Sequence, residues 1–259
     1  MIPYGSSRRS VLRQTGALAA TAAVAGLAGC SGDDDGATDD PAQPFHRWLH
    51  APGATTHEAH YTFSSLKPQV VDAHADHLSE QTLSRLRERE QQWGPTVVGF
   101  GDAERALNLQ SSRVVVASFD REAVVTSLTD EGYEQTTDGE TFDVYAADQR
   151  AVGVGEDHLV VGKATLDVDA AGAVEATVDA WQGGAERYPE ANEHVATLLE
   201  RLGDGTLVSG TSRPADSDGT GFDPLEGDLR ANGTRVRIDG DRSAYLGVSC
   251  SRRKPRRRT

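Results

Sequence analysis

The chain has 259 residues, a formal net charge of -14, 37% hydrophobic residues and two cysteines. That length holds one large or two small domains behind any leader. The acidic balance argues against nucleic acid or an anionic lipid surface as a partner of the folded part, and two cysteines exclude a disulfide framework. The charge is unevenly placed. All 40 acidic residues lie between Asp33 and Asp241, and outside the leader and the basic tail 17 basic residues face them, a balance of -23. Lysine occurs only at positions 67, 163 and 254. Self-repulsion of this size destabilises a compact chain at low salt. At molar salt the Debye length falls to ~3 Å and the repulsion is largely screened.

The chain begins with a leader. Arg8, Arg9 and Arg13 precede an uncharged run from Thr15 to Gly29. That run is shorter than the ~20 apolar residues a spanning helix needs, and its basic front and small-residue end read as an export signal over residues 1–29. The paired Arg8 and Arg9 point to the twin-arginine (Tat) route, an address read by a receptor. Leu27-Ala28-Gly29-Cys30 closes the signal in the pattern of a lipobox, which makes Cys30 the expected lipidation site. Residues 30–44 follow with five aspartates and no large apolar side chain until the end, the composition of a solvated tether.

The body is expected over residues 45–212, with Trp48 in the first ordered contact. His57–Leu66 reads as a strand with Tyr61 and Phe63 on one face. A helix is expected from Lys67-Pro68 through His74 and His77 toward Leu86, with Pro in the first turn. Thr96–Phe100 reads as a short strand and Ala103–Leu109 as a short helix. Val114–Phe119 is a buried-strand run. Asp120 is placed to cap a helix over Arg121–Glu131, with Gly132 at its left-handed stop. A turn at Thr137–Glu140 leads to a strand over Thr141–Ala146, and Ala151–Val154 with His158–Gly162 reads as a hairpin around Gly155-Glu156-Asp157. Ala173–Trp181 and Pro189–Leu202 are expected helices. The second carries Val195, Leu198, Leu199 and Leu202 on one stripe, with Gly203 as its stop. Thr206–Ser209 reads as a strand.

This order gives an α+β fold: a mostly antiparallel sheet with helices on one face, built of ferredoxin-like units. The earlier segment reads as a partial copy of the later one, a tandem arrangement with a sub-boundary near residue 110. Residues 213–250 read as a linker and an incomplete β unit, with strands at Thr234–Asp239 and Ala244–Val248. Two strands alone are marginal, so they either join the preceding sheet or open a truncated further unit. Residues 251–259 are a basic tail. It is read either as an arm for an acidic partner or as off-frame coding, the second favoured because an exported acidic chain has no evident nucleic-acid partner.

Three features carry a resemblance: the Ser7-Arg8-Arg9-Ser10-Val11-Leu12-Arg13 signal, the Leu27–Cys30 box, and Phe119-Asp120-Arg121-Glu122-Ala123-Val124 with Leu128 and Gly132-Tyr133. The chain resembles Tat-exported lipoproteins of haloarchaea, and its acidic, lysine-poor body is similar to halophilic proteins. The resemblance implies export and a lipid anchor at Cys30. It implies no activity.

Six of the eight histidines fall between residues 46 and 77. His74 and His77, three apart on an expected helix, and His57 and His60 before them are candidate ligands for a divalent metal. The opposing reading is solvated polar positions, since His57 and His60 on a strand point to opposite faces. Gly153-Val154-Gly155 with Gly162 lies in the expected hairpin and opens no helix, so it lacks the context of a dinucleotide site. Asn232-Gly233-Thr234 matches the N-glycosylation sequon at Asn232. No catalytic residue is assigned, and no cofactor is expected beyond that divalent metal. The expectation is a lipid-anchored, extracytoplasmic, non-enzymatic module that binds a surface protein or envelope component and not nucleic acid. The alternatives are a metal-binding surface protein using the His57–His77 cluster, or an enzyme of unrecognised class.

Overall fold

The computed structural model describes residues 45–52, 61–88, 98–164, 168–213 and 229–251. The strands are β1 Tyr61–Leu66, β2 Ala103–Asn108, β3 Ser112–Ala117, β4 Glu134–Thr137, β5 Asp143–Ala147, β6 Arg150–Val154, β7 His158–Lys163, β8 Leu207–Ser212, β9 Leu229–Asp239 and β10 Arg242–Ser251. The helices are α1 Pro68–Ala73, α2 Glu80–Arg87, α3 Arg121–Asp130, α4 Ala170–Gln182, α5 Tyr188–Ala191 and α6 Glu193–Leu202. The strands form one sheet in the order β10-β9-β8-β1-β2-β3-β7-β6-β5-β4. Three meanders stand side by side: β8–β10, β1–β3 and β4–β7.

The α+β class and the antiparallel sheet agree with the sequence reading. Every neighbouring pair is antiparallel, so the sheet has no parallel strand–helix–strand pairing of a ferredoxin-like unit. It is continuous across residue 110, because β2 and β3 flank that position and pair with each other. Residues 229–251 join the preceding sheet. β9 pairs with β8 from Ala231 to Val236, and β10 with β9 along its length.

Alternation along the strands feeds two cores, one on each face. On the first face Tyr61, Phe63, Leu107, Val114, Val160 and Val208 pack under α4 and α6, joined by Phe45, Trp48 and Leu49. On the second, Leu66, Ala106, Val115, Leu159 and Val161 pack with Val71 of α1 and Val124 and Leu128 of α3. The helices therefore divide between both faces instead of gathering on one. Val115 and Val114 belong to different cores, which is why β3 reads as a continuous apolar run.

Local signals fix several ends. Asp120 accepts from Glu122 N and Ala123 N and caps α3, while Gly132 takes φ +86°. Asn192 splits the helix expected over Pro189–Leu202: its backbone is extended, and its carboxamide accepts from His194 N and Val195 N to start α6 anew. The helix expected from Lys67 onward also breaks. α1 ends at Ala73, a 3₁₀ turn spans Ala75–His77, and Ser79 caps α2 by accepting from Thr82 N. Ala103–Leu109 is a strand where a helix was expected, since pairing to β1 and β3 on either side outweighs its helical propensity. Phe100 opens a 3₁₀ turn instead of ending a strand. Among the described residues no helix is long and apolar enough to cross a membrane.

Candidate functional site

Arg8, Arg9, Cys30, His57 and His60 lie outside the described residues. His74 stands at the N-cap and His77 at the end of the 3₁₀ turn between α1 and α2, with ring centroids 6.4 Å apart. Two imidazoles on one tetrahedral zinc, with zinc–nitrogen bonds of ~2.0–2.1 Å, hold their centroids about 5 Å apart. The nearby Asp72 accepts from Arg87 Nη2 at 2.6 Å. Among the described residues no three His, Cys, Asp or Glu side chains converge as a metal cluster.

Asn232 lies elsewhere, in the middle of the sheet. Three triplets of one pattern meet in register: Thr62-Phe63-Ser64 on β1, Ser209-Gly210-Thr211 on β8 and Asn232-Gly233-Thr234 on β9. The middle members form a row, Phe63–Gly210–Gly233, that faces the first core. A Cβ on Gly210 would lie 2.3 Å from Phe63 Cζ, and one on Gly233 would lie 2.8 Å from Leu202 Cδ1. Glycine at both positions lets Phe63 and α6 press onto the sheet. The outer members then face the other way, as residues of a strand alternate. They make two polar rows across the second face, Thr62–Thr211–Asn232 and Ser64–Ser209–Thr234, the latter extended by Asn108 of β2.

These rows line a groove of about 320 Å³, within the size range of small-ligand sites. Its walls are held by side-chain bonds. Ser209 Oγ and Thr234 Oγ1 are 2.9 Å apart. Arg113 Nε donates to Asn108 Oδ1 at 2.8 Å, and Asn108 Nδ2 donates to Ser64 Oγ at 3.4 Å. The Asn108 carboxamide thus has a fixed orientation. None of the eleven lining residues is ionisable, although a quarter of the chain is charged. The described lining residues offer hydroxyls and carboxamides that both donate and accept. The sequence signal was there, as polar–(Phe or Gly)–polar three times over. Read alone, the third copy looks only like a sequon.

Two further polar clusters lie away from the groove. Buried Arg105 donates from Nη1 to Ser65 Oγ at 2.9 Å, and from Nη1 and Nη2 to Asp204 Oδ1 at 3.2 Å each. Lys67 Nζ reaches Asp204 Oδ2 at 2.5 Å. Burial alone would raise the Asp204 pKa, but the bonds from Lys67 and Arg105 outweigh it and hold the carboxyl below its usual range. At the β6–β7 turn, His158 contacts the Asp157 carboxylate through Nδ1. Its ring lies 5.1 Å from that of Trp48 and 5.3 Å from that of Trp181, and the two indoles stack at 5.2 Å. Burial lowers the His158 pKa against the pull of Asp157. Both clusters tie elements together: Asp204 joins the α6–β8 loop to β1 and β2, and His158 ties the hairpin to α4. A larger concavity of about 770 Å³ beside the β5–β6 turn is lined by Glu131, Tyr133 and residues 147–150.

No family model matches the chain, and no curated protein matches it. Among solved structures it is similar to the bacterial protein TP0453. Crystal form III of TP0453 shares 9% identity over 78% of this chain and 77% of that one, with a TM-score of 0.43. Crystal form I shares 10% identity over 78% and 76%, with a TM-score of 0.42.

Proposed function

We propose that this chain is a lipid-anchored, non-enzymatic binding module of the extracytoplasmic surface. Arg8 and Arg9 direct its export, Cys30 carries the lipid, and the acidic tether over residues 30–44 sets the body off the membrane. The body then docks an envelope component through the groove across β2, β1, β8 and β9. The observation that carries this reading is the groove itself: two in-register rows of hydrogen-bonding side chains that line one groove across four strands. Such groups orient and hold a ligand, whereas catalysis by proton transfer needs a titratable side chain within reach. The leader and lipobox support the location.

Two experiments test it. Cys30→Ser moves the protein from the membrane fraction to the medium; retention in the membrane overturns the anchor. The intact protein in detergent and molar salt is mixed with envelope stripped of its own surface proteins, beside Ser209→Arg, which places a long cation in the groove. The first binds and the variant does not. Equal binding by both, or turnover of any envelope component, overturns the module reading.

A further inference from the structure

We infer that the groove takes a neutral saccharide, with Tyr245 as the platform for a sugar ring. This rests on the binding-module reading and names its ligand class. Four observations converge. The first is charge: among the described residues no ionisable side chain lines the groove in a body with 40 acidic residues, and Arg213 and Arg230 follow only at its end, one same-face step beyond Thr211 and Asn232. Arg113 at the margin donates to Asn108. The second is bonding type. Hydroxyls and carboxamides both donate and accept, the complement of a ligand whose own groups are hydroxyls. Backbone groups of β1, β8 and β9 are paired within the sheet, so an extended peptide cannot add to this face as a strand.

The third is spacing. Neighbouring strands place successive groups of a row ~4.8 Å apart, and alternate residues of a strand separate the rows by roughly 6–7 Å. The first interval is close to that between hydroxyls on alternate carbons of a pyranose ring, so one ring spans two strands. The fourth is the aromatic. Tyr245 is 72% exposed, the exposed large hydrophobic side chain among the described residues. It lies on β10, on the same face as Thr234, because Gly247 two residues on is the register partner of Thr234. The ring leans along β10 toward the groove: a Cβ on Gly247 would lie 3.7 Å from Tyr245 Cε1 and 3.9 Å from its hydroxyl. An exposed ring with an apolar face and a polar tip, beside rows of hydroxyls, suits a ligand with one C–H face and a rim of hydroxyls.

The test is affinity chromatography of the intact protein in detergent and molar potassium chloride, on immobilised mannan, galactan and dextran, with immobilised heparin as the anionic comparison. Retarded elution is expected on at least one neutral column, reversed by the free sugar of that column, with none on heparin. Tyr245→Ala and Asn232→Ala each weaken retention about tenfold, the loss of one stacking or hydrogen-bonding contact. Glu134→Ala, on the far edge strand β4, leaves it unchanged. Tyr245 is exposed, so its loss does not threaten folding. Retention on no neutral column overturns the saccharide inference, and capture by stripped envelope that Ser209→Arg still abolishes then leaves the module reading standing with a protein as its partner. Retention that survives both substitutions overturns the placement in the groove. A glycan found by mass spectrometry on Asn232 of the native protein also overturns it, because the groove then holds the chain's own sugar.

Discussion

Replacing Asp204 with alanine separates a buried ionic contact from an exposed one that shares the same carboxylate. Arg105 is 5% exposed, and its guanidinium lies 5.7 Å from the Phe45 ring. Truncating one partner of a fully buried pair costs ~3–5 kcal/mol. Here the Asp204 side chain is 51% exposed, so water reaches the guanidinium when the carboxylate goes. Ser65 keeps one of its bonds. The cost on the Arg105 side therefore falls to ~1.5–2 kcal/mol, the low end of the worth of a hydrogen bond to a charged group. The Lys67 side is a surface pair, worth ~0–1 kcal/mol. At molar salt, with a Debye length of ~3 Å, that part is screened and the Arg105 part survives.

Urea denaturation of the intact chain in detergent, at low and at molar salt, reads both contributions. Asp204→Ala loses about 2 kcal/mol at low salt and slightly less at high salt. Lys67→Ala loses under ~1 kcal/mol at low salt and nothing measurable at high salt. A cycle with Arg105→Met gives a coupling of ~1–2 kcal/mol that salt does not remove. Asp204→Ala costing no more than Lys67→Ala at molar salt would refute the reasoning, because it would mean that the Arg105 guanidinium is already hydrated.

Gly210→Ala costs ~1–3 kcal/mol by overpacking, since the new methyl meets Phe63 Cζ at 2.3 Å. Adding Phe63→Leu recovers part of that in the same melt, and additive losses would show that the clash is elsewhere. Tyr61→Phe leaves the chain as stable or up to ~1 kcal/mol more so, because the Tyr61 hydroxyl is buried with no hydrogen-bond partner among the described residues; a loss above that range would reveal a partner. Burial lowers the pKa values of His46, His50 and His158, with Arg187 and Arg47 adding to it at His46. Below the ordinary value of about 6.5 the unfolded chain takes up protons that the folded chain refuses. Stability is therefore flat above pH ~6.5 and declines as the pH falls below it, with a second decline below pH ~4 as Asp204 protonates and its contacts are lost. Denaturation midpoints across pH 3–8 check both, and a stability that holds level from pH 7 to 5 would contradict the first.

What could be read in advance was local. α3 announced itself through Asp120, Val124, Leu128 and Gly132, and the apolar stripe of α6 through Val195, Leu198, Leu199 and Leu202. The β6–β7 hairpin was legible because an apolar run either side of Gly155-Glu156-Asp157 leaves few other options. What failed depended on distant partners. Ala103–Asn108 has helix-forming residues and becomes a central strand only because β1 and β3 present paired edges. β4 is exposed along its whole length and so carries no apolar alternation. The breaks at His74–Ser79 and Asn192 follow from capping side chains that sit inside otherwise helical patterns. The groove was legible only in part. Each triplet is visible in one dimension, but that Phe63, Gly210 and Gly233 align is a fact of register, and β1 lies more than 140 residues from β8 and β9 in the chain.

That register also explains why the open face ends where it does. On β1, β8 and β9 the next row toward the α1 end is Leu66–Leu207–Val236, and Leu66 belongs to the second core, with Leu207 packed against it. One step along the same three strands, the row becomes Ser64–Ser209–Thr234. The change from apolar to polar occurs on all three strands at one level, although their sequences are unrelated elsewhere. Solvation alone asks only that such positions be polar. In a chain with more than twice as many acidic as basic residues between Asp33 and Asp241, carboxylates would satisfy that demand. Their exclusion from both rows, together with Arg113 holding Asn108 and Ser209 bonded to Thr234, goes beyond what solubility requires. It is the pattern expected where an uncharged partner replaces the solvent.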